Sequence, residues 1–325
     1  MDLLAEIHSK LQSLEGHPSR EGVRAAIRHV EIAERWLDRG RKEQDEDLFN
    51  DVIYRTNQAF EGMLKEAYQV LTGEDSRRLS PHQVEQHLLA EDVFTPRVLD
   101  LFKNYRQEWR NPSTHDHSLF FSEQEAILAI VRVSAFATIL LDQVIEAINS
   151  QREREEIEQR RNQFEFDVSR REAAPFHEDV LVILDLFSEE MMRGDINLTE
   201  LREVELLGRL SGFIEGLDSS IRITREPTID EHSRLRPDLV LERETERLLI
   251  EMKRAGYRPD RLSRGREQVL QYLAASGLEH GILFIPPLDP SLGMETRTEQ
   301  VDLAGRTTFI HTVAPPRSDQ SESVV

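Results

Sequence analysis

Apolar residues recur at spacings of three and four through the first part of the chain, at Leu3, Leu4, Ile7, Leu11 and Leu14, then at Val23, Ile27, Val30, Ile32 and Trp36. This is the period of an amphipathic helix. A third run, Leu48, Val52, Ile53, Phe60, Met63, Leu64 and Tyr68, predicts a helix over about 47–71. Ser80-Pro81 and Thr95-Pro96 each set an N-cap residue before a proline at the first helical position, predicting helices that reach Leu89 and about Trp109. Ser122-Glu123-Gln124-Glu125 has the form of a capping box and opens a helix to about Asn149, apolar enough to be the centre of a bundle. No strand alternation interrupts this half.

The second half has another grammar. From Gln151 to about Arg171 the residues are mostly Arg, Glu and Gln, which predicts a solvated helical or flexible connector. Helices follow over about 178–192 and 198–217. Apolar runs then predict strands over 220–229, 237–243 and 247–253, a helix over 264–276, and strands over 281–285 and 307–313. That order makes a mixed sheet with helices packed on it. The expected layout is therefore multidomain: an all-α helical bundle over 1–150, a charged linker over 151–174, an α/β mixed-sheet domain over 175–314 and a disordered tail over 315–325.

Composition narrows the function. Cysteine is absent, which excludes disulfides, thiolate metal sites and thiol nucleophiles. The longest apolar stretch, Ile127 to Leu141, contains Arg132 and is too short to cross about 30 Å of hydrocarbon. No cationic, apolar leader opens the chain, so a cytoplasmic protein without a membrane partner is expected. With 61 acidic against 41 basic residues the net charge is −20, and the stretch up to Ser150 already holds 26 acidic against 17 basic. Such a balance argues against a broad basic face that coats nucleic acid. Locally it reverses: Lys253, Arg254, Arg258, Arg261, Arg264 and Arg266 form one dense basic stretch, suited to holding a phosphate backbone by charge-assisted bonds. No phosphate-cradling glycine loop of the P-loop or dinucleotide type is present, which argues against a nucleotide-driven motor.

The sequence RPDLVLERETERLLIEMKR carries the most chemistry. If Arg243 to Glu246 connect two antiparallel strands, the turn centres between Glu244 and Thr245 and Asp238 falls opposite Glu251. Lys253, two residues beyond Glu251, projects from the same face, while Leu248, Ile250 and Met252 point into a core. Two facing carboxylates and a lysine suit metal-assisted phosphodiester hydrolysis. Hard oxygens hold Mg²⁺, the metal activates water, and the lysine orients or deprotonates that water or neutralises charge on the phosphate.

Pro237-Asp238 and Glu251-Met252-Lys253 resemble the PD-(D/E)xK nuclease superfamily, whose fold is restriction-endonuclease-like. The resemblance covers about Phe176 to Val313. It implies that Asp238, Glu251 and the Met252 carbonyl bind Mg²⁺, with Mn²⁺ as a substitute, and that Lys253 is catalytic. It also implies a glutamine and an aromatic on the following helix, where QVLQYL offers Gln268 as a catalytic residue and Gln271 and Tyr272 as substrate contacts. An earlier helix glutamate is expected to complete the site, Glu203 first, with Glu205 and Glu200 as rivals.

In the helical half, Arg110, Asn111 and His115 read R-N-x-x-x-H, and His117 also fits the spacing. RNA carries its own 2′-hydroxyl nucleophile, so a histidine that moves a proton and an arginine that stabilises phosphate charge suffice to cleave it without metal. The motif, together with RTNQAFEGMLKEAY from Arg55 to Tyr68, resembles HEPN domains, helical nucleotide-binding or RNase modules. This likeness covers about Met1 to Asn149 and implies a homodimer through the helical domain. Together the two resemblances imply a nuclease acting in prokaryotic defence, on DNA before RNA, with a second RNase site and a regulatory partner or activating signal. Two other functions stand beside it: an HEPN-type RNase with a C-terminal nucleic-acid-binding domain, and a non-catalytic dimeric sensor or scaffold. Elsewhere, His82 and His87 read as surface residues and His177 as structural.

Overall fold

The computed structural model describes residues 2–91, 93–115, 119–164, 174–193, 198–230, 235–254, 259–287 and 293–316. Arg258, His117 and the tail from 317 lie outside the described residues, as do the side chains of His115 and Arg261 and the part of the expected linker over 165–173. The chain divides into two compact units, Met1–Ile148 and Asn149–Val325.

The first unit is helical throughout, as its periodicity predicts. Its elements are α1 (Leu3–Gln12), α2 (Arg20–Glu43), α3 (Asp47–Thr72), α4 (Pro81–Ala90), α5 (Pro96–Tyr105), a π-helical turn (Arg106–Arg110), the short α6 (Asn111–His115) and the start of α7 (Glu123–Arg160). The expected capping box at Ser122 forms, and the expected N-cap at Ser80 is a capping box as well. The Ser80 hydroxyl accepts from the Gln83 amide while Gln83 accepts from the Ser80 amide, and Ser122 and Glu125 repeat the exchange. Aromatic packing fixes the core: the Phe60 ring lies 4.6 Å from Tyr105, 4.9 Å from Phe136 and 5.6 Å from Phe102. By length and composition alone α7 could cross a membrane. Its apolar stripe, including Ala126, Val133, Phe136, Leu140 and Leu141, is buried in the bundle.

Beyond Asn149 the connector is helical and mostly exposed, one of the two forms expected, but it also packs into the second unit. α7 continues unbroken to Arg160, Ile157 is fully buried, and Glu153 is buried with the Arg209 guanidinium at 3.0 Å. The polar composition misleads because the partner helix supplies the fit. On α9 (Glu203–Leu217), Gly212 and Gly216 let two backbones approach so closely that few apolar side chains are needed. A Cβ on Gly212 would fall 2.1 Å from the Ser150 carbonyl oxygen, and one on Gly216 would fall 2.8 Å from Ile157. Gly212→Ala is therefore expected to cost about 1–3 kcal/mol by overpacking. It should appear as a lower urea midpoint with an unchanged slope.

The rest of the second unit comprises α8 (Phe176–Arg193), β1 (Arg222–Arg225), β2 (Leu239–Arg243), β3 (Glu246–Met252), α10 (Pro259–Ser276), β4 (His280–Phe284), β5 (Glu295–Leu303) and β6 (Arg306–Ala314). The strands form one six-stranded mixed sheet in the order β1-β2-β3-β4-β6-β5, with β3, β4 and β6 mutually parallel and the other pairings antiparallel. One face carries Leu239, Leu241, Leu248, Ile250, Met252, Ile282 and Phe284 into a core with α8 and α9. The other carries Val240, Leu249, Leu283 and Ile310 against Val269, Tyr272 and Leu273 of α10.

Strand β5 has no counterpart in the sequence reading. Its residues are almost all polar and exposed, so apolar alternation is missing. Charges on an edge strand keep it from pairing with other chains, which hides it from a hydrophobic pattern. Its turn was the available signal: Ala304 and Gly305 both take left-handed φ, 54° and 81°, as a tight hairpin requires.

Candidate active site

Strands β2 and β3 pair from Leu239↔Ile250 to Arg243↔Glu246 around the two-residue turn Glu244-Thr245. Extending that ladder by one residue sets Asp238 opposite Glu251, the register expected from the sequence. Glu251 follows Leu249 on the face that α10 covers, and Lys253 is the next residue on that side. The Lys253 amide donates to the Phe284 carbonyl at 2.9 Å, which ties the end of β3 to the end of β4. Asp238 Oδ2 accepts the Met252 amide at 2.7 Å, so the backbone itself aims this carboxylate. Lys253 Nζ donates to Glu251 Oε1. Glu251 is 2 % exposed, and its Oε2 is buried.

Electrostatically the pair is uncomfortable. Loss of hydration, then the like charge of Glu251, raises the Asp238 carboxyl well above its ordinary value, against the Met252 amide and the Lys253 charge. Burial likewise raises Glu251, although Lys253 opposes it. Burial alone would lower Lys253, but its bond to Glu251 and the charges of Glu251, Asp238 and Glu203 outweigh that and raise it. Lys253 is thus an ammonium here, which suits charge stabilisation better than a general-base role.

A carboxyl whose pKa is higher in the folded than in the unfolded chain keeps its proton longer when folded. Its contribution to stability is then complete below the ordinary value of 3.8 and is lost as pH rises through the folded value. In EDTA, thermal melts of the wild type should therefore lose more stability between pH 4 and pH 8 than those of Asp238→Asn. The variant should melt a few degrees higher at pH 8. Parallel profiles would contradict the strained carboxylate pair.

Around this centre the expected residues sort unevenly. Glu203, in the first turn of α9, acts electrostatically on Asp238, Glu251 and Lys253 together. Its rival Glu205 instead caps α9, accepting the Arg202 amide at 2.7 Å. The Met252 side chain sits in the core under α8 and α9. Tyr272, expected to touch substrate, is 5 % exposed. Burial, then the Glu251 and Asp238 charges and a hydrogen bond to Glu251, push its hydroxyl above the usual tyrosine range. That places Tyr272 inside the fold against the carboxylates. Gln268, one turn earlier on α10, is half-buried, whereas Gln271 is exposed. Arg254 donates to the Thr199 carbonyl at 2.5 Å and Arg264 is exposed. Arg266 makes two bonds to Glu299, which raise its pKa, so it is already paired with a carboxylate.

In the helical unit, the Arg110 guanidinium Nε lies 3.5 Å from Glu61 and 4.0 Å from Glu85, while Nη1 donates to Asn111 Oδ1 at 3.2 Å. Glu85 is 1 % exposed, and burial raises its pKa despite the charges of Arg110 and Arg106. Arg110 therefore balances a buried carboxylate. His87 is half-buried against Tyr68, its Nδ1 2.8 Å from the hydroxyl, and is no simple surface residue. No protein-family model, curated protein or solved structure matches the chain.

The donor set fits a hard divalent cation. Two carboxylates converge beside a third at the first turn of α9, with one lysine set against their charge, an excess that a divalent ion would offset.

Proposed function

We propose that the second unit is a PD-(D/E)xK-type, metal-dependent phosphodiester hydrolase acting on nucleic acid, DNA before RNA. Asp238, Glu251 and the Met252 carbonyl would hold Mg²⁺ or Mn²⁺, with Glu203 completing the set. The metal, when bound, would supply a water of lowered pKa and neutralise charge on the phosphate. The chain's own residues do the rest. Lys253 presents an ammonium to the transferring phosphate, the Met252 amide fixes Asp238, and Tyr272 packs against the carboxylates. Gln268 and the exposed Arg264 would steer the backbone of the substrate, joined by Arg254 and Arg266 where a phosphate displaces Thr199 and Glu299. The observation that carries this reading is the meeting of the Asp238 and Glu251 carboxylates with Lys253 at the end of a buried strand.

For the helical unit we favour an HEPN-like dimerising or sensing module over a second RNase. Arg110 is held between Glu61 and Glu85, and the surface exposes large apolar side chains at Tyr54, Phe120, Leu128 and Val131. Tyr54 and Phe120 line one cleft of about 500 Å³ with Asn57, Glu61 and Ser113. A homodimer would cover that face. A cytoplasmic role in prokaryotic defence, released by a partner or signal, is the biology this pairing suggests. Full-length wild type and His115→Ala should be incubated with DNA and RNA in Mg²⁺ or EDTA. Cleavage that needs Mg²⁺ and survives His115→Ala is expected. Cleavage that persists in EDTA and disappears with His115→Ala would assign the chemistry to the helical unit.

A further inference from the structure

On the other face of the sheet from Glu251 lie three imidazoles drawn from separate elements: His177 from the first turn of α8, His280 from the start of β4 and His311 from β6. Their rings are nearly parallel, with centroids 3.9 Å apart for His177 and His280, 5.2 Å for His177 and His311, and 5.3 Å for His280 and His311. One ligand nitrogen from each lies within 4.8 Å of the others. His280 Nδ1 and His311 Nε2 are 3.0 Å apart, while His177 makes no nitrogen hydrogen bond among the described residues. His311 is 3 % exposed and the other two are half-buried, so an ion could enter from their side.

Chance packing explains this grouping poorly. Three imidazoles facing one another satisfy one nitrogen pair and leave His177 with stacking alone. From its outer side His311 is oriented: Thr298 Oγ1 on β5 lies 3.0 Å from Nδ1, which turns Nε2 toward His280. A hydrogen bond on the far nitrogen is how metal-ligating histidines are fixed. Tetrahedral Zn–N bonds of about 2.0–2.1 Å set nitrogens about 3.3 Å apart with the ion in the plane of each ring, so binding requires His177 to turn out of its stack on His280 and the His280–His311 hydrogen bond to open.

We propose that His177, His280 and His311 form a second metal site, for a divalent transition ion such as Zn²⁺ or Co²⁺, with three protein ligands and a fourth position open to water. All three donors are imidazole nitrogens, which select Zn²⁺ and its neighbours over Mg²⁺. The site is separate from the carboxylate pair in donor type and in face of the sheet. It stands whether or not the nuclease reading does. Bound there, the ion clasps the first turn of α8 to β4 and β6 and so stabilises the folded unit.

The test uses full-length, metal-stripped protein titrated with Co²⁺ in excess Mg²⁺, followed by its visible absorption, by bound-metal stoichiometry and by thermal melting. The wild type and Asp238→Asn should each take up one Co²⁺ per chain, show tetrahedral bands and melt at higher temperature. His280→Gln and the less buried His177→Gln should lose all three responses. Thr298→Val should weaken uptake by about 10-fold while keeping the bands, as expected for a residue that orients a ligand. No uptake by the folded wild type would overturn the proposal. So would uptake unchanged in His177→Gln, or uptake lost only in Asp238→Asn.

Discussion

Lys253→Ala should lose metal-dependent cleavage by about 10²–10³-fold in kcat, the scale on which removal of one preorganised charge-stabilising donor acts. The reason lies in the state of the ammonium. Glu251 and Asp238 raise its pKa, so the positive charge is fixed beside the carboxylates before substrate arrives. Its loss also leaves Glu251 Oε1 without its lysine donor, which makes that buried carboxylate harder to keep charged. Calorimetry should then show divalent-ion binding retained or tightened, because one competing cation is gone. Lost turnover with retained metal affinity separates a charge-stabilising lysine from one that merely holds the site together. Wild-type turnover in this variant would remove Lys253 from the chemistry.

The largest expected loss of stability is at the far end of the same hairpin. Arg243, the last residue of β2, donates to Asp179 Oδ2 at 2.7 Å, lies 3.9 Å from Asp218, and stacks 4.8 Å above the Phe176 ring. Asp179 and Asp218 are 0 % and 2 % exposed. One guanidinium thus balances two buried acids and joins the hairpin to α8 and to the end of α9. Arg243→Leu keeps much of the bulk but takes the cation away from both acids, leaving Asp218 held through Oδ1 by the Ser220 amide and hydroxyl. It should cost about 3–5 kcal/mol, as measured for broken buried pairs. Denaturant melts would show it, while the protein that remains folded should still cut at close to the wild-type rate. A shift under about 1 kcal/mol would mean that water reaches those acids.

Much of this was legible in the sequence where local rules and tertiary packing agree. The helical first unit follows from uninterrupted three-four spacing, and the N-cap at Ser80 and the capping box at Ser122 were readable from a few residues each. Asp238 and Glu251 were paired correctly because a two-residue turn fixes register at every rung. Three features were hidden, each for a physical reason. The packing of α7 past Asn149 depends on glycines some sixty residues later on α9. Strand β5 is polar because an edge must be. Tyr272 shares a helix with exposed residues, and only the sheet beneath α10 makes it an inward-facing side chain. For Arg110, the motif showed the residue but not Glu85, which burial turns into its partner.

The most direct test of the central claim is a metal chase on a single preparation of the full-length protein. Duplex DNA is supplied in Mg²⁺, EDTA is added, and Mg²⁺ is then restored, with Asp238→Asn run in parallel. Cleavage by the wild type that stops in EDTA and resumes with Mg²⁺, with none by the variant, is the predicted result. Cleavage that continues through EDTA, or that Asp238→Asn performs equally well, would contradict it.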